Sequence, residues 1–376
     1  MIMDNPFDLD PGIIYLNHAA VAPWPRRTAE AVAAFAGENR RFGAADYPRW
    51  LEVETRLRRR LARLVGAASP DDIALVKNTS EALSLIAFGL EWRPGDNVVS
   101  FAGEFPSNRL VWQAFGEQGV ELRLADPASA DPEAALLALC DERTRLVSIS
   151  SVQYASGLRA RLETVGSFCR ERGILFCVDA IQSLGALPFD VETAGADFVV
   201  ADGHKWMCGP EGLALFWSRP QAREQLRLLQ YGWHMVEHAG DFDRSDWRPA
   251  ASARRFECGS PNMLGIHALE ASLSVLQEVG VEQIASQLQL RIELAIQEVD
   301  QRGFELLSPR LPERRAGILA FRVPGHDSGE LHRALMQQNV ICALRGGGVR
   351  FSPHWYTPLA QIHHAFEAVE AICNPS

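Results

Sequence analysis

Phe176-Cys177-Val178-Asp179-Ala180-Ile181-Gln182-Ser183 is the stretch on which the reading of the fold turns. It continues an apolar run that begins at Ile174, and the run ends on a carboxylate with a glutamine three residues on. An apolar run of about four to eight residues bounded by a polar turn reads as a fully buried strand. Runs of the same kind recur outward from it: Ile73 to Val76, Asn97 to Phe101, Leu146 to Ser150, Phe198 to Ala201 and Leu213 to Trp217, with longer amphipathic segments between them. Strands alternating with helices argue for βαβ units and a mostly parallel sheet. Ligands of such sheets lie at the carboxyl ends of the strands, which is where Asp179 falls. Two helical stretches come before the alternation, about Arg26 to Phe42 and Trp50 to Val65.

The pattern changes after about Ala250. A helical region from Gly265 to Arg302, broken near Gly280, leads to an apolar run at Gly317 to Val323 and a helix from Ser328. Two short strands near Ile341 and Val349 and a last helix from Thr357 to Ile372 follow, which reads as a smaller α+β domain beginning near Arg248-Pro249. A length of 376 residues favours two domains, because single cores stop growing before that size. The net charge of −10 gives no electrostatic case for nucleic acid or an anionic membrane. No apolar run reaches the length that spans a bilayer, and Met1 to Gly12, acidic and poor in apolar residues, reads as neither a signal nor a transit peptide. Seven scattered cysteines without a CxxC pair argue against a disulfide framework or a zinc site and for a reducing cytoplasm.

Three motifs carry chemistry. A carboxylate where Asp179 falls suits a pyridoxal-5′-phosphate (PLP) ring, whose pyridine nitrogen must stay protonated for the ring to accept electrons. Gln182 is placed to donate to the ring's phenolate oxygen; the plain alternative is a strand-terminal Asp that caps the next turn. In Ala201-Asp202-Gly203-His204-Lys205-Trp206, a lysine closes a strand, and Gly209-Pro210-Glu211-Gly212 then turns into the next apolar run. A Schiff-base lysine needs this partly desolvated setting, although most lysines at strand ends are merely exposed. Lys77-Asn78-Thr79-Ser80-Glu81-Ala82 falls between a strand and a helix. A helix start offers free N–H groups and a positive dipole end to a phosphate, and Asn78 and Glu81 stand at capping-box spacing, so both uses are open together.

In this order the motifs resemble the class V aminotransferase family of fold-type I PLP enzymes, which includes cysteine desulfurases, selenocysteine lyases, isopenicillin N epimerase and kynureninase. The resemblance runs from Tyr15-Leu16-Asn17-His18-Ala19-Ala20 to Arg350-Phe351-Ser352-Pro353. It implies a large PLP-binding α/β domain over residues 17–249, built on a mostly parallel seven-stranded sheet flanked by helices. Residues 1–16 and 250–376 would form the small domain. Lys205 would be the Schiff-base lysine and proton shuttle, Asp179 the partner of the ring nitrogen and Gln182 that of the phenolate. Thr79, Ser80 and His204 would hold the phosphate, and Phe105, in Glu104-Phe105-Pro106-Ser107-Asn108, would stack on the ring. Ser260, in Phe256-Glu257-Cys258-Gly259-Ser260-Pro261-Asn262, stands where family members send a hydroxyl to the other subunit's phosphate, which implies a homodimer. Arg350 would grip the substrate α-carboxylate, a task suited to a bidentate guanidinium. His18 and Tyr154 would line the substrate pocket, a structural role for His18 being equally open.

Two departures stand out. Asp202 replaces a family serine that donates to the phosphate; a carboxylate cannot donate there and is expected to turn away or bond elsewhere. Tyr154 stands where desulfurases carry an asparagine. A relay desulfurase also needs a nucleophilic cysteine on a mobile loop before the substrate arginine. Only Gly346-Gly347-Gly348-Val349 separates Arg345 from Arg350, too short for a reaching arm and without a cysteine. Cys342 and Cys208 read as buried packing thiols. His234 and His238 look like a metal pair but lack further ligands at the right spacing, so no metal is expected. The expected function is thus a Cβ–S or Cβ–Se lyase of a small cysteine-like amino acid. An aminotransferase or epimerase on the same scaffold is the alternative, and a non-catalytic PLP-binding regulator is the rival of another class. A nicotinamide dehydrogenase would need a G-x-G-x-x-G that is absent from the sequence.

Overall fold

The computed structural model describes residues 5–374; Met1 to Asp4, part of the segment assigned above to the small domain, lie outside the described residues. The central sheet has seven strands: β1 (Ile73–Val76), β2 (Asn97–Phe101), β3 (Glu121–Ala125), β4 (Thr144–Ser150), β5 (Leu175–Asp179), β6 (Phe198–Asp202) and β7 (Ala214–Ser218). Their spatial order is β1-β7-β6-β5-β4-β2-β3. Every pairing is parallel except those of β7, which runs antiparallel to both neighbours. All five residues of β5 and of β6 are buried, as expected of strands covered on both faces. The strand that the apolar runs do not reveal is β3. It lies at the sheet edge, where Glu121-Leu122-Arg123-Leu124-Ala125 alternates and only Ala125 is buried, so no continuous apolar signal marks it.

Helices α1 (Arg26–Phe42) and α2 (Tyr47–Val65) form where they are expected, and α2 ends on Gly66, whose φ of 67° suits a left-handed cap. The long helical region is two helices, α3 (Met263–Val279) and α4 (Val281–Gln301), parted at Gly280. Met263, Ile266, Leu269, Leu273 and Leu276 of α3 join the core of the central sheet, as do Ile284 and Leu288 at the start of α4. Ile292, Ala295, Ile296 and Val299, farther along α4, join a second core. The change of core therefore falls inside α4. Composition does not report which sheet a helix covers.

That second core lies under a four-stranded antiparallel sheet of β8 (Glu305–Leu306), β9 (Leu319–Arg322), β10 (Ala343–Arg345) and β11 (Gly348–Phe351), in the order β10-β11-β9-β8. The strand Ile14–Tyr15 crosses from the chain start to pair with Val340–Ile341. Between β10 and β11 only Gly346 and Gly347 turn the chain, with φ of 58° and 78°. Two positive φ values in a two-residue connection make a type I′ hairpin, whose twist matches the strands and which favours glycine at both places. The glycine run is therefore a tight turn, not a flexible one.

Gly185 positions the loop that carries the lysine. Its φ is 95°, and a Cβ there would lie 2.4 Å from the carbonyl oxygen of Trp206. Trp206 is fully buried, and its indole N–H donates to the Gln182 side chain at 2.8 Å. Backbone cannot retreat as a side-chain tip can. Gly185→Ala should therefore cost about 2–3 kcal/mol, read as a lower urea midpoint at unchanged slope.

Candidate active site

A cavity of about 410 Å³ opens at the carboxyl ends of β5 and β6. Asp179, the last residue of β5, and Lys205, three residues past the end of β6, both line it and both are buried. One Asp179 oxygen accepts the backbone N–H of Ile181 at 3.0 Å. The rest of the carboxyl is turned to the cavity. Burial raises its pKa, the Ile181 bond opposes that, and the nearby Glu104 carboxylate adds to the rise. Burial also pulls the Lys205 ammonium below the ordinary lysine range; Asp179 opposes this, while the Arg350 charge adds to it. The ring of Phe105 stands 5.5 Å from Lys205 Nζ and meets Tyr154 edge to face at 5.3 Å.

The helix Thr79–Gly89, whose start was expected to hold a phosphate, begins at the same cavity. The Asn78 side chain accepts the N–H of Glu81 at 2.9 Å, and the Glu81 carboxylate accepts the N–H of Lys77 at 2.6 Å. The box thus closes on Lys77, one residue earlier than the standard reciprocal bond. Thr79 Oγ1 is buried without a protein partner, and Ser80 Oγ shares a 2.8 Å hydrogen bond with Ser107 Oγ. Asp202 borders the same cavity, with its carboxylate 3.0 Å from His204 Nδ1. Arg350 is fully buried. Its Nη1 donates to the Tyr154 carbonyl at 2.6 Å, and its Nε and Nη2 have no protein partner.

Thr79, Ser80, Phe105, Tyr154, Asp179, Gln182, His204, Lys205 and Arg350 all border the one cavity. Gln182 is more committed than expected. Its amide donates to the Ala19 carbonyl at 3.0 Å and its oxygen accepts from Trp206, which leaves a single N–H for anything else. Of the two roles open to His18, the contacts favour the structural one, and it is not among the residues that border the cavity. It is fully buried, with Nδ1 2.9 Å from the Ser352 carbonyl and Nε2 2.7 Å from the Tyr356 hydroxyl, and burial lowers its pKa to about 4. Both ring nitrogens serve the fold. Ser260 borders a different cavity, with Lys77, Gly212 and Asn262.

His234 does find carboxylates, Glu54 and Glu257, which the sequence separates widely. Arg58 holds both of them, at 2.5 Å and 2.7 Å, so a guanidinium already answers part of the charge of this cluster. Burial pushes the Cys208 thiol up, and Cys342 to about 12, which fits packing thiols. Sequence reasoning missed Asn78, Ser107, Glu211 and Arg345 as lining residues. Ser107 stood inside a quoted motif, and Arg345 served there only to bound the glycine run.

The profile of the family described as Aminotransferase class-V matches residues 14–363. The chain belongs to the class V aminotransferase family. With that membership it is an enzyme whose cofactor is pyridoxal phosphate. Among curated proteins it is 28% identical to a probable cysteine desulfurase of Methanothermobacter thermautotrophicus, over 96% of this chain and 95% of that one. It is 31% identical to a probable cysteine desulfurase of Pseudomonas aeruginosa, over 93% and 86%, and 29% identical to an uncharacterized aminotransferase of Bacillus subtilis, over 84% and 82%. Among solved structures it superposes on the cystine C-S lyase C-DES in complex with cysteine persulfide with a TM-score of 0.88 at 22% identity, covering 96% of this chain and 97% of that one. The cysteine desulfurase of Thermococcus onnurineus superposes with a TM-score of 0.86 at 24% identity, covering 96% and 94%.

The residues fit that cofactor. A buried hydroxyl without a partner at a helix start, a carboxyl with one hydrogen bond and a buried amine together supply what a phosphate, a pyridine nitrogen and an aldehyde require. An amine attacks an aldehyde only when neutral, and a lowered pKa enlarges the neutral fraction at any given pH. Attachment of the cofactor to the stripped protein should therefore rise with pH and level off well below 10.5, the ordinary lysine value. Asp179→Asn removes the anion that favours the ammonium and should move the midpoint lower still. Borohydride reduction followed by peptide mapping should find the adduct on Lys205, and Lys205→Ala should carry none.

Proposed function

We propose that this enzyme is a lyase that breaks the Cβ–S or Cβ–Se bond of a cysteine-like amino acid without a persulfide-carrying cysteine. The observation that carries the reading is the two-glycine turn between Arg345 and Gly348. Where a sulfur relay needs a loop with a thiol, this chain has a hairpin too tight to carry one, and Cys208 and Cys342 are buried. The names of its relatives, cysteine desulfurases and a cystine C-S lyase, supply the substrate class. The likeness to an aminotransferase of Bacillus subtilis favours transamination as the second reading.

The bound cofactor supplies an aldehyde for the substrate amine and a ring that accepts electrons from Cα. Thr79, Ser80 and His204 would hold its phosphate, Asp179 would keep a proton on its ring nitrogen, Gln182 would give one N–H to its phenolate, and Phe105 would stack on the ring. Arg350 binds the α-carboxylate through Nε and Nη2, the two nitrogens without a protein partner, and so orients the substrate. Lys205 Nζ, once released, takes the Cα proton. The Cβ–S bond then breaks with its electron pair going to sulfur while the pair left at Cα forms a Cα=Cβ double bond, and water converts the released enamine to pyruvate and ammonia. With no thiol poised to take it, the sulfur leaves as an anion. We further assign two domains to the chain, a homodimer in which Ser260 reaches the other subunit's phosphate, and a cytoplasmic site of action. No helix among the described residues is long and apolar enough to cross a membrane.

The products separate these chemistries. Incubated with cysteine, cysteine sulfinate and cysteine S-conjugates, the holoenzyme should release pyruvate together with the sulfur-containing leaving group, without added thiol. Alanine formed only when a thiol acceptor is supplied would make it a desulfurase. A keto acid that requires an amino acceptor would make it an aminotransferase, and racemised substrate alone an epimerase.

A further inference from the structure

Two arginines, not one, border the substrate side of the cavity. In the β10–β11 hairpin Ala343 is paired with Arg350 and Arg345 with Gly348. Residues opposite each other in an antiparallel pair share a face, and so do residues two apart along a strand. Arg345 and Arg350 therefore project from the same face of the hairpin. They are diagonal neighbours, with Cβ atoms about 7–8 Å apart. The other face carries Val349 and Phe351, which are buried in the second core. On the face with the arginines lie Ala343 and Gly348 of the hairpin and Ala320, across from Arg350 on β9, with the Leu307 side chain packed over Gly348.

Neither charge is answered by the protein. Among the described residues no carboxylate lies within ion-pair distance of Arg345 or Arg350, unlike Arg58, Arg123, Arg161 and Arg314, each of which has one. Arg345 Nη1 donates only to the neighbouring Leu344 carbonyl, at 2.7 Å. Of the acids on the cavity, Asp202 faces His204, Asp179 sits at the lysine, and Glu211 lies beyond ion-pair reach of both arginines. The tight turn fixes the spacing, since both of its glycines have left-handed φ and Gly346 abuts Ala155.

We propose that the substrate carries a second acidic group at the end of its side chain, and that Arg345 receives it while Arg350 holds the α-carboxylate. The substrate class is then an amino acid with an acidic side-chain terminus. Combined with the lyase reading, that means an oxidised cysteine or a cysteine S-conjugate ending in a carboxylate or sulfinate. The proposal rests on Arg350 as the α-carboxylate site but not on the bond that is broken.

Equilibrium titration of the holoenzyme, followed by the cofactor absorbance, tests it with pairs that differ in charge at the side-chain end. L-glutamate against L-glutamine and L-aspartate against L-asparagine are such pairs, and none has a sulfur leaving group. The wild type should bind the acid of at least one pair more tightly than its amide by about 10- to 100-fold, the usual range for a hydrogen bond to a charged group. Arg345→Gln should bring that ratio close to one, and Arg345→Lys should keep part of it. Arg350→Gln should weaken acid and amide together and leave the ratio in place. A wild-type ratio near one for both pairs, or a ratio that Arg345→Gln leaves intact, overturns the proposal. If Arg350→Gln weakens neither ligand, the α-carboxylate assignment falls instead, and the proposal with it. A lyase assay without pyruvate would sink only the bond-breaking step.

Discussion

The site depends on one juxtaposition: a carboxyl and an amine, both buried, at the carboxyl ends of adjacent parallel strands. Neither would stay in a dry interior alone, because each loses hydration that its charged form needs. Side by side and open to a cavity they remain within reach of proton exchange, and burial moves their two titrations toward one another. The sheet enforces this arrangement. Strands β5 and β6 are buried throughout and in parallel register, with Asp179 opposite Val200, so a slip that separated the two groups would break the packing of both strands against the layers on either face.

Around that pair, the protein spends its remaining polar groups on rigidity. Glu104 is buried behind Phe105 and accepts from the Ser150 backbone and hydroxyl and from the Asn108 and Gln153 amides. Those bonds tie the ring-bearing segment to the end of β4. Arg58 does similar work elsewhere. It joins Glu54 of α2 to Glu257 and to the carbonyl of Ile73, binding the second helix, the first strand and the segment before α3 into one unit. A buried cation shared by two carboxylates is strongly destabilising to break from one side.

Much of this was legible in the sequence, and the reasons are particular. Strands β1, β2, β4, β5, β6 and β7 are continuous apolar runs because both sheet faces are covered, and Lys205, Asp179 and the Thr79 helix start were found because each closes or follows such a run. β3 escaped because an edge strand needs no apolar continuity. The position at which one core gives way to the other escaped because α4 serves two sheets with a single amphipathic pattern. The two roles open to His18 could not be separated, since a sequence cannot say that Ser352 and Tyr356, more than 330 positions away, occupy both its nitrogens. Arg345 went unread for a related reason: strand register, not spacing along the chain, puts it on the face of Arg350.

The glycine hairpin also bears on how this scaffold diversifies. It protrudes from the edge of the small sheet, its two residues hold no part of either core, and the strands on both sides are fixed by their own pairing. Extra residues inserted there would cost little, since each doubling of a flexible connection adds only about 0.6 kcal/mol of closure entropy. Turn length at this corner can therefore drift through insertion and deletion almost independently of the sheets, so that reach toward the reacting atom is an evolvable variable added to an otherwise finished catalyst.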